Sequence, residues 1–184
     1  MKTKIDKWVA DLETNTQLFN QHFAGLSPED LNWKPDPQTW SIAQNIDHLI
    51  TINSTYFPVL DEILMGRYHT PWLAKIGFIP RFIGNVIYNA SLPDRRKKMK
   101  TFPMWEPSKS DIDGMIVKRF EEHQQKMAEY IRKAAPAVER GCVISSPAQA
   151  GLIYKLERAF DIIVVHEQRH LEQAKEVQLA RQAI

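Results

Sequence analysis

The sequence contains little of what several function classes require. Of its 184 residues, one is cysteine, Cys142, and only seven are glycine. A single cysteine excludes an internal disulfide and is typical of proteins from a reducing cytoplasm. No glycine-rich loop of the kind that binds phosphates is present. The alternation of polar and apolar residues that marks half-buried strands is nearly absent, so the sequence argues against a β-rich fold.

The chain also lacks a large net charge and a long apolar run. Its 24 Lys and Arg residues nearly balance 22 Asp and Glu residues, for a net charge of +2 at pH 7. This charge is too small to predict nucleic acid or an anionic membrane as a partner. The N-terminus has no signal-peptide pattern, and Lys75, Pro80 and Arg81 interrupt the most apolar tract, residues 72–90. We therefore expect a cytoplasmic protein with neither kind of partner.

What the sequence does have is apolar residues at helical spacing in four stretches. The predicted helices lie near residues 3–24, 41–66, 108–135 and 152–181. Four helices without strands predict an all-α fold, a four-helix bundle in a single domain over residues 1–184.

Local signals refine the helix boundaries. Ser41 and Gln44 form a capping-box pattern at the start of the second helix, and Pro58 should kink or split that helix. A second capping-box pattern runs from Ser146 to Gln149. The fourth helix is expected to begin there or a few residues later.

A long connection, residues 67–107, separates the second and third helices. About forty residues are too many for a hairpin loop and indicate a crossover along the bundle, which lets consecutive helices run parallel. The crossover contains a basic run, Arg95-Arg96-Lys97-Lys98. We interpret this run as a solvated loop, and a site for an anionic ligand is the alternative.

Two histidines near the C-terminus carry the clearest chemical signal. His166 and His170 are four residues apart in a predicted helix, so they lie on one face about one turn apart. That face is the apolar one, and both side chains should point toward the core. Two imidazoles in this arrangement can bind one metal ion. The alternative is a pair of ordinary core histidines.

The same residues spell H-E-x-x-H, the helix motif of zinc proteases, with Glu167 as the glutamate. Only fourteen residues follow His170, Gln173 stands where the longer motif needs glycine, and no sheet is predicted to hold a peptide. A protease is therefore disfavoured. The third ligand must come from upstream, and His48, beside the buried stripe of the second helix, is the best candidate. His123, on the inner face of the third helix, is expected to be a core residue bonded to a neighbour.

Three segments resemble those of the DinB/YfiT-like family of four-helix bundles. They are the run from Leu26 to Leu31 (LSPEDL) with that from Trp40 to Leu49 (WSIAQNIDHL), the run from Lys98 to Pro103 (KMKTFP), and Pro147 and Gly151 followed by His166, His170 and Gln173. The segments occur in the family's order and cover most of the chain. The resemblance implies an up-down-down-up bundle and a divalent metal held by His48, His166 and His170. His22, His69 and His123 match no ligand position of the family.

The resemblance also implies a chemistry. Characterised members of the family are mostly thiol-dependent, which implies a metal- and thiol-dependent S-transferase. A divalent metal (Zn, Ni or Fe) would hold the sulfur of a low-molecular-weight thiol. The alternatives are a metal-dependent hydrolase, with Glu167 as a weak candidate for the catalytic base, and a non-catalytic stress-response or binding module. Cys142 is not expected to be the nucleophile.

Two further residues and the partners complete the expectations. Glu167 and Gln173 flank the histidine pair, and at least one should hydrogen-bond a ligand histidine or contact a bound molecule. For partners we expect a small-molecule substrate, no nucleic acid and no membrane, with a homodimer as a candidate assembly.

Overall fold

The described part of the chain, residues 2–94, 101–108 and 111–184 of a computed structural model, is mostly helical. Within these ranges the helices are α1 (Lys2–Phe23), α2 (Pro28–Asn32), α3 (Ile42–Ser54), α4 (Tyr56–Leu64), α5 (Phe78–Ser91), α6 (Ile116–Lys133), α7 (Ala135–Glu139) and α8 (Leu156–Gln182). The two strands are β1 (Val143–Ser146) and β2 (Gln149–Lys155), and 3-10 turns span Trp72–Lys75 and Pro103–Trp105. The all-α class predicted from the sequence is confirmed, with one small sheet added.

Helices α1 and α8, the first and last of the bundle, run parallel. Near their N-terminal ends Lys4 Nζ lies 3.0 Å from Glu157 Oε2. Near their C-terminal ends Gln178 Nε2 donates to the His22 carbonyl at 2.9 Å. Because the contacts advance together along both helices, α1 and α8 point the same way.

Helices α4 and α6 run opposite to that pair. Arg132 of α6 lies beside Glu13 of α1, at 3.6 Å, whereas Phe120 packs on Phe19 further along α1, with ring centroids 4.7 Å apart. The Phe57 ring of α4 packs between His123 and Tyr130 of α6, and one turn later in α4 Asp61 accepts from Tyr130 Oη at 2.6 Å, so the contacts move toward the end of both helices together. The directions are therefore up, down, down and up, as the family resemblance implies.

The second bundle helix is split, as Pro58 predicts. Helix α3 ends at Ser54 and α4 begins at Tyr56. Proline has no N–H to bond the carbonyl of Ser54, four residues earlier, so the helical ladder is interrupted at this point. The predicted capping box is also present, since Gln44 N donates to Ser41 Oγ and Ser41 N donates to Gln44 Oε1.

A β-hairpin occupies the place where the fourth helix was expected to begin. Strands β1 and β2 pair antiparallel, with Ile144 opposite Tyr154, and both side chains are buried. The prediction that a helix starts at the capping-box pattern from Ser146 to Gln149 is therefore wrong, because these residues lie at the turn of the hairpin. Helix α8 begins only at Leu156, after the strand has placed its apolar side chains in the core.

The predicted start of the third bundle helix, near residue 108, is also wrong. Helix α6 begins at Ile116, and Met115 N donates to Asp113 Oδ1 at 2.8 Å in the turn before it. An aspartate that accepts from the backbone two residues on favours a turn over a helix. At the other end, Pro136 does not close the helical region, because α7 continues to Glu139.

The crossover contains α5, which packs on β2 and α8. Gly84 makes this close packing feasible, since a Cβ at this position would lie only 2.9 Å from Arg158 Cγ and 3.0 Å from Tyr154 Cβ. Within the described ranges, every helix is too short or too polar to span a lipid bilayer. The basic run at residues 95–98 and the family-like residues 98–100 lie outside the described residues.

The core consists of two apolar clusters separated by a polar layer. One cluster lies toward the start of α8 and the other toward its end. Between them, each of the four long helices contributes a buried polar side chain: Asn15, Asn53, Gln124 and Glu167. The bundle is therefore held by apolar packing at two levels and by hydrogen bonds at the level between them.

His123 lies in this polar layer and is a core residue, as expected, but it is not bonded to a neighbour. Its ring packs on Phe57, with centroids 5.3 Å apart. Neither ring nitrogen has a hydrogen-bond partner among the described residues. Burial lowers the pKa of His123 to about 4, since a charged imidazolium would lose its hydration.

Replacing His123 by Leu should make the protein less sensitive to acid. The unfolded chain binds the proton near pH 6.5 and the folded protein only near pH 4, so folding stability is full above pH 6.5 and falls as the pH is lowered. Between pH 8 and pH 5 the wild type should lose about 2 kcal/mol more stability than His123→Leu. Urea unfolding of both metal-free proteins at the two pH values measures the difference in the free energy of unfolding. Equal losses in the two proteins would contradict the lowered pKa of His123.

Candidate metal centre

Three histidines from two helices converge beside the polar layer. His48 comes from α3, and His166 and His170 come from consecutive turns of α8. One ring nitrogen of each lies within 4.8 Å of the others, and the Nε2 atoms of His166 and His170 are 3.1 Å apart. Nitrogens that share a metal ion at bond lengths of about 2.0–2.1 Å lie about 2.9–3.4 Å apart at octahedral to tetrahedral angles. The 3.1 Å between His166 and His170 fits this range, and the nitrogen of His48 lies within 4.8 Å of both, so the three side chains could hold one metal ion.

A backbone carbonyl of the crossover fixes the tautomer of His48. Its Nδ1 lies 2.6 Å from the Trp105 carbonyl oxygen. A carbonyl oxygen only accepts, so Nδ1 must carry the proton. In the neutral ring, Nε2 then keeps its lone pair, which is the form that binds a metal.

An amide of α3 fixes His170 in the same way. Asn45 Nδ2 donates to the Ser41 carbonyl at 2.9 Å, which sets the orientation of the Asn45 amide. Its Oδ1 lies 2.7 Å from His170 Nδ1 and accepts from it. His170 therefore carries its proton on Nδ1, and its Nε2 lone pair faces His166.

The environment keeps the three imidazoles neutral. Burial lowers the pKa of His48, and it lowers the pKa of His166 and His170 well below the usual value. Repulsion from neighbouring imidazoles and from the Arg169 guanidinium adds to the effect at His166 and His170. A neutral imidazole keeps one ring nitrogen unprotonated at physiological pH, so metal binding does not have to compete with an imidazolium charge.

The site is closed on one side and open on another. The Trp40 ring stacks on His170, with centroids 5.9 Å apart, and lies 4.9 Å from the His48 ring. His48 and His170 are buried, whereas His166 is half-buried. The partly exposed His166 is therefore the side of the site nearest to solvent.

Glu167 belongs to the core and not to the metal site. Its carboxylate accepts from Asn53 Nδ2 and Gln124 Nε2 at 2.8 Å and from Asn15 Nδ2 at 3.0 Å. Burial raises the pKa of Glu167 to about 7, and the three amide donors act in the opposite direction. The described hydrogen bonds of this carboxylate thus go to the polar layer and not to a ligand histidine.

The other candidates lie apart from the trio. Gln173 is half-buried and makes no hydrogen bond within the described part of the chain. His22 is half-buried against Phe23, and His69 is exposed. No second group of three His, Cys or acidic side chains converges in the ranges the structure describes.

Two contributors to the site were missed in the sequence. Asn45 had a signal, because it lies three residues before His48 and therefore on the same helical face. The Trp105 contact had none, since it is made by a backbone carbonyl 57 residues away in an irregular segment.

Comparison with known proteins places these residues in a family context. The family model of the DinB superfamily matches residues 11–174, which include all three histidines. An uncharacterized protein of Bacillus subtilis (strain 168), YuaE, is 31% identical over 170 residues, covering 91% of this chain and 92% of that protein. No solved structure matches the chain.

Removing one histidine should abolish metal binding without unfolding the bundle. His166→Ala deletes one of three ligands, and as a half-buried residue it leaves the two apolar clusters intact. We expect loss of stoichiometric metal, measured by elemental analysis after equilibrium dialysis, with an unchanged circular dichroism spectrum. His22→Ala is the matched control and should keep its metal. Stoichiometric metal in His166→Ala would rule out this site.

The Asn45 contact should matter for affinity, and Gln173 should not. Loss of a hydrogen-bond partner behind a ligand histidine typically lowers metal affinity 10–100-fold. Asn45→Ala removes the acceptor of His170 Nδ1–H and should show a loss of this size in a competition titration with a chelator. Gln173→Ala should bind metal as tightly as the wild type. If Gln173→Ala weakened metal binding and Asn45→Ala did not, Gln173 would be the supporting residue, as expected from the sequence.

Proposed function

This chain belongs to the DinB superfamily, and from that premise we propose that it is a divalent-metal-binding enzyme that transfers a low-molecular-weight thiol to a small electrophile. One observation carries the proposal: ring nitrogens of His48, His166 and His170 converge within 4.8 Å of one another, and His166 is partly exposed. Such a three-histidine site with open positions is typical of catalytic metal centres, whereas structural zinc sites are closed by four protein ligands.

The open side is where the thiol would bind. A divalent metal held there would lower the pKa of a bound thiol, so that its sulfur is present as the nucleophilic thiolate. Zinc, nickel and iron all accept imidazole ligands, so the donor set favours none of them. Hydrogen bonds to Trp105 and Asn45 already orient two of the three rings, those of His48 and His170.

Positive charge beside the site favours an anionic sulfur. Arg169 is close enough to lower the pKa of both His166 and His170. Its Nη1 donates to the Ala90 carbonyl at 2.7 Å, so the end of α5 holds the guanidinium in place. Oriented charge that requires no rearrangement during the reaction is an efficient source of transition-state stabilisation.

The transfer itself is simple in its bonding changes. The sulfur forms a bond to an electrophilic carbon of the substrate, and the leaving group departs with the electrons of the bond that breaks. The thiol proton passes to solvent. Trp40 lines the closed side of the site, where its ring limits access of water to the two buried histidines.

The contacts of Glu167 weaken the hydrolase alternative. A hydrolase needs a base near the bound water, and the only acid in the H-E-x-x-H pattern is Glu167. Its carboxylate is fully buried and is bound by three amides of the core. The non-catalytic alternative predicts a sealed site, and the partial exposure of His166 speaks against it.

A thiol-transfer assay on the metal-loaded protein tests the proposal. Product formation from a fluorogenic alkylating probe should require both the metal and a low-molecular-weight thiol, and a chelator should stop it. His48→Ala should lower the rate more than about 100-fold, beyond the loss expected for a supporting residue. His22→Ala should keep the wild-type rate.

A spectroscopic binding measurement tests whether the thiol sulfur contacts the metal, independently of catalytic turnover. When the protein is loaded with cobalt, addition of the thiol should produce a sulfur-to-metal charge-transfer band, and His48→Ala should not show it. Hydrolysis of an ester probe without thiol, together with no such band, would favour the hydrolase and refute the transferase.

A further inference from the structure

The outer face of α5 carries large apolar side chains that nothing in the described structure covers. Phe78, Phe82 and Val86 follow one another at four-residue spacing, and their exposed fractions are 72%, 66% and 52%. Trp72 and Ile76, in the turn before the helix, are 71% and 40% exposed. Because residues four apart lie on one helix face, these side chains form a continuous surface, the α5 apolar stripe.

The stripe is unusual for a helix on the surface of a bundle. Helix α5 already packs its inner face on β2 and α8, and its outer face should then be polar. Aromatic side chains contribute roughly 150–250 Å² each, so the three aromatic residues alone expose roughly 300–500 Å². This is comparable to the largest apolar patch on a typical soluble monomer, which often marks an interaction site.

Positive charge is concentrated in the same part of the chain. From Asp61 to Lys98 the sequence has seven Lys and Arg residues and three acids, although the whole chain is nearly balanced. Four of these cations stand at residues 95–98, outside the described residues, and Arg67 pairs with Glu62 at 2.8 Å. Lys75 and Arg81, which lie within the span of the stripe, are exposed and form no ion pair with any described residue. The apolar surface is therefore flanked by two exposed cations, Lys75 and Arg81, that are not ion-paired within the described residues.

We propose that the α5 apolar stripe docks on the surface of an anionic lipid bilayer. The aromatic side chains would enter the boundary between headgroups and acyl chains, and Lys75 and Arg81 would contact lipid phosphates. A helix that lies in this boundary usually carries aromatic side chains and cations, as α5 does with Phe78, Phe82 and Arg81, and the preceding turn adds Trp72 and Lys75. The positive charge of Lys75 and Arg81 is then complementary to the negative charge of the lipid headgroups.

The charge pattern favours a bilayer over a second copy of the chain. A symmetric dimer through the stripe would bring two identical surfaces together, and with them two cation-rich segments. An anionic bilayer gives those cations opposite charges instead. From the sequence we expected no membrane partner because the net charge of the whole chain is small. That small net charge hides the excess of Lys and Arg in this segment, and this local excess favours contact with a membrane.

Vesicle co-sedimentation of the full chain tests the proposal. Vesicles of phosphatidylcholine mixed with phosphatidylglycerol should bind the protein, and vesicles of phosphatidylcholine alone should bind it much less. Binding should weaken as salt is added. Phe78→Ser with Phe82→Ser should reduce partitioning more than about tenfold, since two inserted apolar side chains are lost. Arg81→Gln should reduce it about fivefold.

Matched controls make each outcome decisive. Leu179→Ser changes a side chain that is 65% exposed on α8, away from the stripe, and should bind vesicles like the wild type. Unchanged metal content and circular dichroism would show that the variants are folded. No binding, equal binding to both vesicle types, or an equal loss in Leu179→Ser would overturn the proposal. The proposal would also be overturned if the protein did not bind vesicles and light scattering showed a dimer that Phe82→Ser abolishes.

Discussion

The structure depends on one buried carboxylate, that of Glu167. It is fully buried in the centre of the bundle and accepts hydrogen bonds from Asn15, Asn53 and Gln124, one amide from each of the other three long helices. A buried carboxyl group is tolerated only when its oxygens are bonded, so this layer permits one rotation and one register of α8. His166 and His170 are one residue before and three residues after Glu167, and their direction follows from it.

The crossover is part of the functional site and not only a connection between parallel helices. Its 3-10 turn supplies the Trp105 carbonyl that sets the tautomer of His48, and the end of α5 supplies the Ala90 carbonyl that positions Arg169. The same α5 carries the apolar stripe on its other face. The segment that the bundle topology requires therefore supports the candidate metal site on one side and forms the proposed lipid contact on the other.

Most helices and the His166–His170 pair followed from the sequence because their signals are local, whereas His48 came from the family resemblance and from its place beside a buried stripe. The Ser41 capping box and the break before Pro58 depend only on residues within one or two turns, and both are confirmed. Local patterns failed where two structures compete for the same residues. The Ser146 pattern fits a helix cap, but burial of Ile144 and Tyr154 stabilises a hairpin instead, and this stabilisation exists only once the bundle is assembled.

The sequence by itself determined the fold class, the four helical stretches and the residue types that can bind a metal, because helical periodicity and imidazole chemistry are intrinsic to the chain. Only the tertiary structure decided what those residues do. Asn45 is 125 residues from His170 and Trp105 is 57 residues from His48, so their hydrogen bonds exist only after folding. Glu167 resembles a catalytic glutamate in its motif, yet its carboxylate binds core amides because the other three helices place their donors there.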